Sequence, residues 1–203
     1  MIPDDMNTVS GTGCVIMASG LGTRFGGNKL LADFHGTPMF LRIVEATEGL
    51  FEKRVVVTRH EEVASICRKC GIDVVLHDLP HRNDTVRLGL KALGNVDACL
   101  FCPGDQPLLR RETVADLLQF WQENRDSIIR PVCEESPGAP VLFPAWTFPE
   151  LMVLPEGKGG NWVAGKHPEQ VKLLPVADPY ELMDADTPET LEILRQRAAV
   201  CRQ

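Results

Sequence analysis

The sequence predicts a single α/β domain built on a mostly parallel, doubly wound sheet, and three observations carry that expectation. Short apolar, β-rich runs alternate with helical patterns along most of the chain. Two of those runs, 55–58 and 98–102, are apolar on both faces, as parallel strands covered by helices on each side require. Two segments rich in glycine, proline and charge, 19–29 and 103–107, each follow the carboxyl end of a strand, where open α/β sheets place their ligands.

The elements follow in order. GCVIMA (13–18) reads as the first strand, and the next segment is loop-like to about Lys29 before a helix that starts near Pro38 and includes MFLRIVEATEGL. RVVVT (54–58), EEVASICRKC (61–70), IDVVL (72–76) and DTVRLGLKAL (84–93) continue the alternation of strand and helix up to the strand ACLFC (98–102). A helix from about 111 to 124, strands IIRPV (128–132) and APVLF (139–143), and a closing helix from 188 to about 199 complete the pattern. The glycine-rich polar segments 133–139 and 154–166 read as irregular walls of a cleft.

Composition narrows the class. With 203 residues and 44% hydrophobic content, one sizeable core over 12–203 is expected, behind a flexible polar leader, 1–11. The net charge of −7 offers no general attraction to a nucleic acid backbone, so an anionic substrate must meet a local basic cluster. No apolar run approaches the ~20 residues that span a bilayer, and the start lacks signal-peptide character, which predicts a cytoplasmic protein without membrane partners. Seven cysteines without an export signal read as reduced thiols. The pairs Cys67/Cys70 and Cys99/Cys102 resemble zinc spacing, but in a strand Cys99 and Cys102 point to opposite faces and cannot share an ion.

The segment VIMASGLGTRFGGNKLL (15–31) carries the chemistry. Gly20 and Gly22 let backbone N–H groups approach phosphate oxygens, while Arg24 and Lys29 supply countercharge, so the loop reads as a triphosphate cradle. The missing GKS or GKT ending excludes a P-loop, and the absence of an acid after the second strand, which ends Thr58-Arg59, argues against a dinucleotide fold. In FCPGDQPLL (101–109), Asp105 sits in a sharp turn directly after a buried strand, where a carboxylate suits Mg²⁺ held against phosphates. In MDADTPE (183–189), Asp184 and Asp186 share a side in an extended segment, and either completes a metal shell. Asp186 or Thr187 before Pro188 reads equally as a helix cap.

These segments together resemble the nucleotidyltransferases of molybdenum cofactor maturation, above all the molybdenum cofactor cytidylyltransferases and their guanylyltransferase relatives. GLGTRFGGNKLL, FCPGDQPLL, GAPVLF (138–143), GKGG (157–160) and MDADTPE occur in that family's order, and the GDQP form is typical of the cytidylyl branch. The resemblance implies a three-layer α/β/α fold of the nucleotide-diphospho-sugar transferase type and transfer of CMP from CTP to molybdopterin with release of pyrophosphate. It also implies a molybdenum hydroxylase as the recipient of the product.

Residue by residue, the resemblance implies that Arg24 and Lys29 grip the leaving phosphates, while Mg²⁺ is held by Asp105 and Asp186, with Asp184 the alternate ligand. The nucleotide would meet Ala18, Ser19, Gly20, Leu21, Gly22, Thr23, Thr85 and Gly104, and the acceptor Gly138, Pro140, Lys158 and Gly159. The chain departs from the family at Ser19, Phe25, Ala139 and the pair His81-Arg82. A guanylyltransferase, a sugar-phosphate nucleotidylyltransferase and a non-catalytic cofactor carrier are the alternatives.

Overall fold

The computed structural model describes residues 8–22 and 24–200. The chain runs through β1 (Val9–Ala18), a 3-10 turn (Lys29–Leu31), β2 (Asp33–Phe34), β3 (Thr37–Pro38), α1 (Leu41–Thr47), β4 (Phe51–Thr58) and α2 (Glu61–Lys69). It continues with β5 (Val74–Leu76), α3 (Arg82–Leu93), β6 (Ala98–Pro103), α4 (Arg111–Glu123), β7 (Ile128–Cys133), β8 (Ser136–Pro137) and β9 (Val141–Pro144). The last elements are α5 (Phe148–Met152), α6 (Gly160–Lys166), β10 (Val171–Pro175), a 3-10 turn (Pro179–Leu182) and α7 (Pro188–Val200).

The main sheet has the order β10-β7-β9-β6-β1-β4-β5, with β8 paired to β7. The central strand β1 lies parallel to both β4 and β6, Val15 standing opposite Val55 on one side and Phe101 on the other. Only β9, antiparallel to β6 and β7, and β8, antiparallel to β7, break the parallel pattern. Side-chain alternation along β1 divides the core: Cys14, Ile16 and Ala18 enter the layer of α1, α2 and α4, while Val15 enters the layer of α3, α5 and α6. The expected doubly wound α/β/α architecture is therefore what the chain adopts. The same alternation sends Cys102 into the first layer and Cys99 into the second.

Four expectations shift. β1 begins at Val9, whose N–H bonds to Leu50 O at 3.1 Å, so residues 9–11 belong to the strand rather than to a leader; residues 1–7 of that stretch lie outside the described residues. Before α1 the chain folds into the β2–β3 hairpin, turned by His35 and Gly36 at positive φ, and the helix starts only at Leu41. The wall 154–166 is irregular only as far as Gly159, because Val163 and Ala164 give α6 an apolar face to bury. β10 was not expected: it is a short edge strand, VKLLP, half exposed along its length.

A third apolar cluster positions the site. Phe34 and Met39 of the hairpin region pack with Ala185 and with Leu191, Leu194 and Ala198 of α7. This contact brings residues 184–186 beside residues 24–29, more than 150 positions away in the chain. Among the described residues, no helix is long and apolar enough to cross a membrane.

Candidate active site

A cleft of about 700 Å³ opens where β1, β4 and β6 end. Its first edge is the loop after β1. Gly22 has φ +60 there, and a Cβ at this position would collide with the carbonyl oxygen of Gly27, so only glycine fits. Phe25 N–H closes the turn onto Gly22 O at 2.9 Å, and the Asn28 side chain accepts from Leu30 N–H, starting the 3-10 turn that aims Lys29 inward.

The second edge is the turn after β6. Gly104 N–H donates to Met17 O at 3.0 Å, and a Cβ on Gly104 would lie 3.1 Å from that same oxygen, so the glycine lets the turn press against β1. The third edge is stitched to the second, since Ala185 N–H donates to Asp105 O at 2.8 Å. Buried Gln106 donates to Leu182 O at 3.0 Å and to Asp184 Oδ1 at 2.9 Å. Of the two cap readings for α7, Thr187 fills the role, its Oγ1 accepting from Thr190 N–H, which leaves Asp186 for the cleft.

Charge converges at this meeting point. Lys29 Nζ lies 2.5 Å from Asp105 Oδ2 and 2.7 Å from Asp186 Oδ1, with its side chain only 10% exposed. Arg24, 72% exposed, holds the other oxygen of Asp186 at 2.7 Å. Burial pulls the Lys29 pKa down, but attraction and hydrogen bonds from Asp105 and Asp186 outweigh it and leave the ammonium above its ordinary value. Asp186, bonded to Lys29 and near Arg24, is held below the usual carboxylate range. Asp184 goes the other way. The residue has an open face, yet partial burial of its carboxyl, with Asp105 and Asp186 nearby, pushes its pKa up to about 6.

On the far side of β1, Leu79 N–H donates to His77 Nδ1 at 3.2 Å, which assigns the ring proton to Nε2. Nε2–H then donates to Ser19 Oγ at 2.8 Å, and the serine hydroxyl donates to Val57 O at 3.1 Å. Burial, reinforced by Arg59, lowers the His77 pKa and keeps the ring neutral. Ser19 is thus held by both its neighbours with one acceptor lone pair free.

Of the residues expected at the site, Ser19, Gly20, Leu21, Gly22, Arg24, Lys29, Thr85, Asp105, Gly138, Asp184 and Asp186 line this one cleft. Thr23 lies outside the described residues. The others do not line it. Ala18 is fully buried with its carbonyl taken by Thr58, and Gly104 serves the close approach to β1. Pro140 follows a cis peptide bond at the start of β9, Lys158 is exposed, and Gly159 precedes α6 against the Arg82 side chain. Arg59, His77, Arg82, Gln106 and Arg130 were not expected. Arg59, His77, Arg82 and Arg130 sit singly in a strand, helix or turn, and the topology collects them, whereas Gln106 adjoins Asp105 in the GDQP turn.

The donor set was tested for a metal. Two carboxylates from different segments already converge on one cation, the Lys29 ammonium, and oxygen donors of this kind fit a hard divalent ion. Among the described residues, no three His, Cys, Asp or Glu side chains close around one point. An ion here would therefore complete its shell with substrate oxygens and water.

A glycine loop bearing cations after the first strand thus faces an acidic turn after a later parallel strand across one cleft. Residues 14–171 match the MobA-like NTP transferase domain, and the chain belongs to that family. Curated relatives include the 3-deoxy-manno-octulosonate cytidylyltransferase of Acinetobacter baumannii, 32% identical over 126 residues, which are 59% of this chain and 49% of the relative. The Francisella tularensis enzyme of the same name is 28% identical over 113 residues, 53% of this chain and 45% of the relative. The matches thus span about half the length of these relatives. Among solved structures, Rv0371c of Mycobacterium tuberculosis superposes with a TM-score of 0.78 at 24% identity, covering 91% of this chain and 97% of that one. A manganese complex of Rv0371c superposes at 0.73 and 22% identity, covering 91% and 97%. The molybdopterin-guanine dinucleotide biosynthesis protein A of Archaeoglobus fulgidus reaches 0.72 at 16% identity, covering 93% and 99%.

Proposed function

We propose that the protein transfers CMP from CTP to molybdopterin with release of pyrophosphate, using Mg²⁺. The observation that carries the nucleotidyl transfer is the convergence of Lys29 and Arg24 with Asp105 and Asp186 beside the glycine loop. Family membership and the cytidylyltransferases among its relatives support CTP.

The chain's own residues would bind and orient. Backbone N–H groups of 20–22 face the triphosphate, Arg24 and Lys29 meet the β and γ phosphates, and Ser19 Oγ offers its free lone pair to an amino group on the base. Asp105 and Asp186, with Asp184 as alternate, would hold Mg²⁺, which when bound neutralises charge developing on the α phosphate. An acceptor oxygen attacks the α phosphorus, the bond to the bridging oxygen breaks, and its electron pair leaves with pyrophosphate. An acceptor phosphate is already deprotonated, so the step needs no protein base; positioning and charge supply most of the rate. In the structure Lys29 is tied to the two carboxylates. Lys29, close enough to both carboxylates to share them, would hold phosphate when those carboxylates are engaged elsewhere.

A second reading, transfer to a sugar acid, has support in the named substrate of the cytidylyltransferase relatives. Pyrophosphate release with Mg²⁺ and each of CTP, GTP, ATP and UTP, in the presence of molybdopterin or 3-deoxy-manno-octulosonate, tests both. Preference for CTP and molybdopterin is expected. GTP preference would move the base, turnover with the sugar acid alone would move the acceptor, and no release with any pair would overturn the transfer.

A further inference from the structure

The cleft has a second wall of opposite character. Arg82 opens α3 and Arg130 lies in β7, and both line the same cleft as Asp105 and Lys29. Arg130 donates only to backbone: its Nη2 lies 3.1 Å from Gly138 O and 3.3 Å from Pro137 O, and its Nε 3.3 Å from Gly138 O. Arg82 rests beside Gly159, where a Cβ would come within 3.2 Å of its Nε. Among the described residues, neither guanidinium has an ion-pair partner. Three arginines that line this cleft, Arg59, Arg82 and Arg130, have no ion pair among the described residues; Arg59 is taken up by the carbonyls of Asp78 and Leu79, on the side of the cleft formed after β4 and β5.

The energetics point the same way. A guanidinium kept partly out of water and given only neutral carbonyl acceptors is under-compensated, and burial does push the Arg130 pKa down. An anion arriving between the two arginines restores that balance with charge-assisted, fork-shaped hydrogen bonds. Beside Arg82 opens a largely apolar niche of about 60 Å³, lined in part by Met17, Val141 and Phe143 together with Asn161, with room for the edge of a ring or a short alkyl group.

We infer that Arg82 and Arg130 form an acceptor clamp, binding an anionic group that the acceptor carries next to an apolar edge. The inference rests on the nucleotidyl-transfer reading and deepens it by naming the acceptor's chemistry.

The test uses the full chain saturated with Mg²⁺ and α,β-methylene-CTP, titrated with phenyl phosphate, inorganic phosphate and benzoate while the arginine Nε–H resonances are followed. Phenyl phosphate is expected to bind tightest, because it fills both the clamp and the niche. Arg82→Gln and Arg130→Gln should each weaken it about 10-fold, the loss of one charge-assisted contact, with the affinity for the CTP analogue unchanged. Benzoate binding more tightly than phenyl phosphate would identify a carboxylate rather than a phosphate as the group recognised. Failure of all three probes to bind the wild-type complex overturns the clamp, as does binding unaffected by either substitution. Failure of the CTP analogue itself to bind would count against the nucleotidyl-transfer reading instead. Inorganic phosphate equal to phenyl phosphate removes the niche from the inference.

Discussion

The two walls of the cleft balance their charge in opposite ways. On the wall made by the loops after β1 and β6 and by residues 184–186, every cation is paired: Lys29 with Asp105 and Asp186, and Arg24 with Asp186. On the wall made by α3 and β7, Arg82 and Arg130 have no carboxylate within ion-pair reach among the described residues. The first wall is preorganised and loses little by waiting for substrate. The second is incomplete until an anion arrives. The difference suggests a division of labour, in which the paired wall performs the transfer and the unpaired wall selects the acceptor.

Breaking the paired wall should have the largest effect. Lys29→Ala should lower kcat for pyrophosphate release by about 100-fold or more, the cost of removing one preorganised charge-stabilising group; steady-state kinetics with CTP checks it. Arg24→Ala should lose less, about 10-fold, because its guanidinium is 72% exposed and water screens its contribution. Gly22→Ala should strain the loop by about 1–3 kcal/mol at φ +60 and weaken CTP binding accordingly, which calorimetric titration would measure.

Asp184 sharpens the comparison through pH. Its folded pKa of about 6 lies above the ordinary 3.8, so the stability tied to its protonated form is complete below the ordinary value and lost as pH rises through about 6. Metal-free Asp184→Asn should therefore melt above the wild type at pH 7.5, and the gap should close toward pH 4; a gap that is constant with pH would remove this account of Asp184. The smallest effect belongs to the cap. Thr187→Ala should cost about 1 kcal/mol of stability, read by chemical denaturation, through the lost bond to Thr190 N–H at the start of α7.

The paired wall was legible in the sequence and the unpaired wall was not, for a physical reason. Arg24, Lys29 and Asp105 stand in turns that glycine and proline mark locally, directly after apolar strands, so strand order alone brings them to one edge. Asp184 and Asp186 were legible as a pair, but only the Thr187 cap and the Lys29 contact separate binding from capping. Arg82 and Arg130 carry no such punctuation. One opens a helix and the other lies inside a strand, and they line one cleft only because β7 and α3 are folded against it. Lys158, a cation in a glycine-rich segment, is the local candidate for the acceptor wall, and in the structure it is exposed and is not among the residues lining the cleft. The strand β10, VKLLP, is short, carries Lys172 and ends in a proline, so its apolar residues Val171, Leu173 and Leu174 do not by themselves mark a strand.

The most direct test of the central claim is pyrophosphate release from CTP with Mg²⁺ and molybdopterin by the wild type and Asp105→Asn, side by side. A kcat lower by about 100-fold in the variant, with the KM for molybdopterin little changed, is the predicted result. Equal rates would contradict the claim that the paired wall performs the transfer.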